Sequence, residues 1–112
     1  MITIRIYKTR AGKRPFSQWF SGLPNGQVQK VDAALYRMEC GNLGDHKSIG
    51  GGIYERRIFG NPAMRIYYGM DGKDIVILLA GGFKRSQSAD ILTAKMLWNE
   101  YKERKKDGEK LL

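Results

Sequence analysis

Six consecutive apolar residues, Ile75-Val76-Ile77-Leu78-Leu79-Ala80, constrain this chain more than any other feature. Successive side chains of a strand point to opposite faces, so this run is apolar on both faces and is expected to be the most buried strand of a sheet. Asp71-Gly72 just before it is a strong tight-turn signal, and Gly81-Gly82 just after it is expected to break it. The remaining chain must supply neighbouring strands and an apolar cover. With 112 residues there is room for one domain and one core, so residues 1–112 are read as a single domain.

The stretch Ile53 to Met70 supplies two such neighbours, joined at Gly60-Asn61-Pro62. In the first strand Tyr54, Arg56 and Ile58 share one face, and Ile53, Glu55, Arg57 and Phe59 share the other. In the second, Arg65 and Tyr67 lie together, opposite Met64, Ile66 and Tyr68. Arg57 and Arg65 are thereby carried by neighbouring strands and are expected on one sheet surface. Lys47-Ser48-Ile49 reads as a short edge strand leading into them. The glycines at 50, 51 and 52 imply positive φ or a close backbone approach, and no phosphate-binding loop follows.

The N-terminus alternates Ile2, Ile4 and Ile6 with Thr3, Arg5 and Tyr7, which predicts a strand over Met1–Lys8. Pro15 suits a first helical turn, and Phe16, Trp19, Phe20 and Leu23 follow at helical spacing. Asn25 is placed to cap a second helix that buries Val28, Val31, Ala34, Leu35 and Met38. Ser86 or Ser88 is placed to cap a last helix with an apolar stripe of Ile91, Ala94, Leu97, Trp98 and Tyr101. Residues 102–112 read as a charged, frayed tail. The order predicts an α+β domain: a mostly antiparallel, twisted sheet of four to five strands, packed with an N-terminal helical hairpin and a C-terminal helix.

Lys and Arg total 20 against 11 Asp and Glu. That excess favours an anionic partner such as nucleic acid, an acidic protein or a membrane surface. The lone Cys40 forms no disulfide framework and reads as a small buried helix residue. No apolar run approaches the ~20 residues of a membrane span, and the expected compartment is the cytoplasm. A single histidine, His46, and scattered acids suggest no metal site, and no organic cofactor is expected.

The remaining inventory is cationic. Lys47, Arg57, Arg65, Lys84 and Arg85 sit on or at the ends of consecutive strands, where they suit phosphate binding. Such a cluster would serve metal-free RNA cleavage, in which the ribose 2′-hydroxyl attacks the adjacent phosphate, or a passive phosphate-binding face equally well. A proton acceptor would be Lys47, Lys84, His46 or the RNA itself. Arg57 has a plainer reading as the ion-pair partner of Glu55, Arg65 as a cap for loop carbonyls, and the tyrosines as packing residues.

Three segments, GNLGDHKSIGGGIYERRI, AMRIYYGMDGKDIVILLAGG and FKRSQSADILTAKML, in this order and spacing, resemble the RelE/ParE superfamily of toxin–antitoxin toxins. The closer likeness is to the phage-derived, Gp49-like, HigB-type addiction module killer proteins, and it covers nearly the whole chain. The resemblance implies a RelE-like fold and a toxin that cleaves mRNA on the ribosome and arrests translation. It also implies a cognate antitoxin, usually with a helix-turn-helix domain. It points to Arg57, Arg65 and Lys84 as catalytic, and to Lys47, Arg85 and Tyr67 as RNA-binding. The antitoxin is expected on the basic face and on the stripe Ile91, Leu97, Trp98 and Tyr101. Two alternatives share the fold: a ParE-like inhibitor of DNA gyrase, and an inactive RNA- or protein-binding module. The chain departs from the family at Arg56, where an apolar residue is usual, and in lacking a matching aromatic or histidine near its C-terminus.

Overall fold

The computed structural model describes residues 1–111. The elements in chain order are β1 (Thr3–Ile6), α1 (Pro15–Ser21), α2 (Asn25–Glu39), β2 (His46–Gly50), β3 (Ile53–Ile58), β4 (Met64–Asp71), β5 (Ile75–Phe83) and α3 (Gln87–Lys106), with a short 3-10 turn at Lys84–Ser86 between the last two. The five strands form one mixed sheet in the order β1-β5-β4-β3-β2. β1 runs parallel to β5, and every other pair is antiparallel. The fold is therefore α+β, with five strands where four to five are expected, and the expected three helices.

The apolar run in β5 has its neighbours on both sides, and Val76 through Ala80 are all buried. One face of the sheet, with Ile58, Met64, Ile66, Tyr68, Val76 and Leu78, packs on Phe16 of α1 and on Val31, Ala34 and Met38 of α2. The other face, with Ile53, Tyr67, Ile77 and Leu79, packs on Ala94, Trp98 and Tyr101 of α3. The α3 stripe is thus spent on the protein's own sheet.

Gly81 and Gly82 do not break β5, which continues to Phe83. A Cβ on Gly81 would lie 2.2 Å from the Trp19 ring, and one on Gly82 would lie 1.9 Å from Asp90 Oδ2. Gly69 of β4 likewise lies under Trp98, with a hypothetical Cβ 2.4 Å from the indole. These glycines are windows that let an indole or a carboxylate sit directly on the backbone, a role that close packing requires and turn chemistry does not.

Several boundaries differ from expectation. Pro24, not Asn25, occupies the N-cap position of α2, and Asn25 is its first residue. Ser86 holds the N-cap position of α3, but its hydroxyl faces Asp90 Oδ2 at 2.6 Å and makes no cap bond to the helix. Cys40 is exposed at the C-cap of α2, because the stripe that faces the core ends at Met38. Arg56 is buried and donates to the Leu43 carbonyl at 2.8 Å; Gly44, with no side chain, makes room for its guanidinium.

The expected frayed tail is helical to Lys106 and docked. Tyr101 donates to Asp71, which also accepts from Lys105 Nζ at 2.5 and 2.6 Å. Tyr7 donates to Glu100, and Arg104 Nη1 reaches the Tyr7 hydroxyl at 3.1 Å and the Lys8 carbonyl at 2.9 Å. Burial, then the bond to Glu100, pushes the Tyr7 phenol up to about 12. The Asp71 carboxyl is held below its ordinary value by Lys105 and Tyr101, and that of Glu100 by Tyr7.

Two expectations follow from this packing. Gly81→Ala should cost about 1–3 kcal/mol by overpacking against Trp19, read from urea unfolding midpoints. The carboxyls with lowered pKa values stabilise the fold fully above the ordinary 3.8 of Asp71 and 4.5 of Glu100, and that stability is lost as pH falls through their lower folded values. The melting temperature should therefore drop on acidification below about pH 4, and the drop should be shallower in Asp71→Asn/Glu100→Gln protein.

Candidate anion site around Glu55

The register places Arg57 opposite Arg65, as the alternation implies. Their side chains nonetheless have different environments. Arg57 is about half exposed and forms a two-pronged pair with Asp45, Nε to Oδ2 at 3.0 Å and Nη2 to Oδ1 at 3.3 Å. Asp45 comes to lie beside it because the Arg57 amide also bonds the Asp45 carbonyl at 2.8 Å. The plainer reading of Arg57 as an ion-pair residue therefore holds, with Asp45 in place of Glu55. An exposed pair of this type contributes about 0–1 kcal/mol.

Arg65 is nearly buried and turns toward Glu55, with Nε 3.8 Å from Oε2. Glu55 has no exposed surface. Lys47, its partner across β2 and β3, brings Nζ to 3.9 Å from Oε1. Gln87, the first residue of α3, donates from Nε2 to Oε2 at 3.0 Å. Neither cation is at hydrogen-bond distance from the carboxylate. Glu55 Oε1, Arg65 Nε and Nη1, and the Tyr67 hydroxyl are all buried without a hydrogen-bond partner among the described residues.

Four orphaned polar atoms in one place are unusual, because each costs about 1–3 kcal/mol when left unpaired away from water. They comprise two guanidinium N–H donors, a phenol and a carboxylate oxygen. The three donors suit an oxyanion such as a phosphate, and the carboxylate oxygen beside them is an acceptor for a hydroxyl. Burial, and then the charge of the Glu55 carboxylate that the hydroxyl faces outside well-aligned hydrogen-bond geometry, pushes the Tyr67 phenol well above its ordinary value, so it is a neutral donor at physiological pH. Tyr67 is fully buried and cannot stack on a nucleobase as an RNA-binding platform would.

Gly82 lies opposite Arg65 in the register, and the strand then leads into Phe83, Lys84 and Arg85. Lys84 and Arg85 are exposed and have no carboxylate within 4 Å among the described residues. With Pro62, Ala63 and Phe83 they line a groove of about 360 Å³. Its floor is apolar and its rim cationic, a form suited to a base or sugar with its phosphate. His46 is exposed and its Nδ1 lies 2.9 Å from the Gly44 carbonyl, away from the Glu55 cluster in the hydrogen-bond network.

The structure thus joins Arg65 and Lys47, brings Lys84 and Arg85 to the start of α3, and sets Arg57 against Asp45. The residue that sequence reasoning passed over is Glu55. Its only signal was a shared strand face with Arg57, the face expected to meet Arg65 across the hairpin. Among the described residues no cluster of three or more His, Cys, Asp or Glu could hold a metal ion, and no helix is long and apolar enough to cross a membrane.

No protein-family profile matches the chain. A protein of Haemophilus influenzae, described only as an uncharacterized protein, is 41% identical to it over 100 residues, spanning 88% of this chain and 97% of that protein. This chain belongs to that protein's family. The matched segment takes in nearly the whole of that protein and most of this chain.

Tyr67→Phe removes an orphaned hydroxyl and keeps the ring. The variant should unfold at an equal or higher urea concentration than the parent, by up to about 1 kcal/mol. A clear loss of stability would mean that the hydroxyl is well bonded in the native protein.

Proposed function

We propose that this protein is the toxin of a type II toxin–antitoxin pair, a metal-independent endoribonuclease of the RelE/ParE superfamily that cleaves mRNA on the ribosome. The observation that carries this is the buried Glu55 carboxylate held among Arg65, Lys47 and Gln87, with unpaired guanidinium donors alongside. The likeness of three long segments to HigB-type toxins supports it, as do the α+β topology and the strong positive charge.

In this reading Glu55 accepts the proton of the ribose 2′-hydroxyl. The 2′-oxygen forms a bond to the adjacent phosphorus, and the bond from phosphorus to the 5′-oxygen breaks. The products are a 2′,3′-cyclic phosphate and a 5′-hydroxyl, the leaving oxygen taking its proton from Lys84 or water. Arg65 and Lys47 stabilise the charge that builds on the phosphorane, and the Tyr67 hydroxyl orients it. Arg85 and the apolar groove at Phe83 position the nucleotide. Gln87 covers Glu55 in the free protein, so the first turn of α3 shifts when substrate enters. Arg57 acts at a distance, through Asp45 and the general positive field, and not as a direct catalytic group. The partner is an antitoxin with a helix-turn-helix domain. It reaches the basic rim, while Trp98 and Tyr101 become available to it only if α3 leaves the sheet.

The test is induction in a bacterium without the antitoxin, with growth and mRNA 5′ ends mapped together. Wild type should arrest growth and create new ends within translated messages. Glu55→Gln and Arg65→Lys should each lower cleavage by about 100-fold or more, whereas Arg57→Ala should cost about tenfold or less. Arrest with intact mRNA and damaged DNA would replace this proposal with gyrase inhibition.

A further inference from the structure

A second cluster of cations lies on the opposite face of β3, outside the Glu55 centre. Lys30, Ala33, Ala34 and Arg37 of α2 and Arg56, Arg57, Ile58 and Phe59 of the β3 end, together with Asp45, line a cleft of about 330 Å³. Its only acid, Asp45, is taken up by both prongs of Arg57. Lys30 and Arg37 are exposed and have no carboxylate within 4 Å among the described residues. Arg56 is fixed from behind by the Leu43 carbonyl, and the nearby positive charge of Arg37 adds to burial in making its own charge costly. Like charges gathered over an apolar floor of Ala33, Ala34 and Ile58 are unfavourable until an anion joins them.

The rim identifies the anion. Phe59 is 73% exposed and so presents an aromatic face to solvent beside the cations. Lys30 and Arg37 stand two helical turns apart, about 10.5 Å along the axis, which matches a charge that repeats along a backbone better than a single ion. Cations that track a backbone beside an aromatic platform are how single-stranded nucleic acids are held without sequence preference. We propose that the cleft between α2 and the end of β3 is a second RNA-binding site, which grips the phosphates of a single-stranded segment with Lys30 and Arg37, above the buried charge of Arg56, and stacks one base on Phe59. The choice of RNA over DNA rests on the proposed ribonuclease reading; the cleft itself does not. Since Arg56 and Glu55 are consecutive on β3, the site would hold RNA that passes round the β2 edge toward the Glu55 centre.

The test is fluorescence anisotropy with a labelled single-stranded oligouridylate on Glu55→Gln protein, so that cleavage does not interfere. Adding Lys30→Ala/Arg37→Ala, at two exposed positions that should leave the fold intact by circular dichroism, should weaken binding at least tenfold. It should also lower the slope of log affinity against log salt by about 1.4, the value for two lost phosphate contacts on a single strand. Phe59→Ala should weaken binding about fivefold or more with the salt slope unchanged, as loss of stacking requires. Unchanged affinity in both variants would overturn the proposal. So would a cleft variant that keeps RNA affinity and loses binding to polyglutamate, which would make the occupant an acidic protein segment. Equal loss on oligouridylate and oligodeoxythymidylate supports the cleft and leaves the choice of RNA to the mRNA mapping. Intact mRNA in induced cells, with cleft binding preserved, would remove the catalytic reading alone.

Discussion

The structure depends on a sheet whose centre is apolar on both faces. Val76 through Ala80 of β5 and Met64 through Gly69 of β4 are buried. Neither strand can lie against water, so a layer of helix is needed on each side. α1 and α2 supply one layer and α3 the other. How close the layers come is set by glycines. Trp19 rests over Gly81 and Trp98 over Gly69, so each large indole is accommodated by an absent side chain in the strand beneath it.

The two ends of α3 are held by different means. Its C-terminal half carries several polar bonds, Tyr101 and Lys105 to Asp71, and Arg104 and Glu100 to Tyr7. Its N-terminal end closes over Glu55 with a single side-chain bond from Gln87 and leaves nearby donors unpaired. The donors left unpaired at the Glu55 centre are a local cost to stability, and they are what the proposed site rests on.

The contrast between Arg57 and Arg65 follows from burial. They are opposite one another in the ladder, but Arg57 lies near the exposed end of β3, where Asp45 can reach it. Arg65 sits on β4, one strand further in, beneath the start of α3. A guanidinium in water is readily satisfied by a neighbouring acid at little net gain. A guanidinium near a buried carboxylate but with donors unpaired carries a desolvation cost that a 3.8 Å ion pair only partly offsets. Position in the sheet, more than residue type, separates the two environments.

Much of this was legible in the chain. The period-two alternation of Ile53–Ile58 and Met64–Tyr68 determined which side chains share a face, and Asp71-Gly72 determined the hairpin that aligns β4 with β5. The apolar run determined the central strand, and the 3.6-residue stripe of α3 determined which of its residues meet the sheet. These are local patterns, and local stereochemistry reads them directly. The sequence did not reveal the strand order, the parallel pairing of β1 with β5, or the meaning of Gly81-Gly82, which read as a break and proved to be a seat for Trp19 and Asp90. Nor did it reveal Glu55, an ordinary strand residue until Arg65, Lys47, Tyr67 and Gln87, from three other elements, close around it. Pairing across the sheet and burial beneath a distant helix are properties of the assembled layers; no spacing along the chain encodes how far a carboxylate will be from water, and that distance decides what it can do.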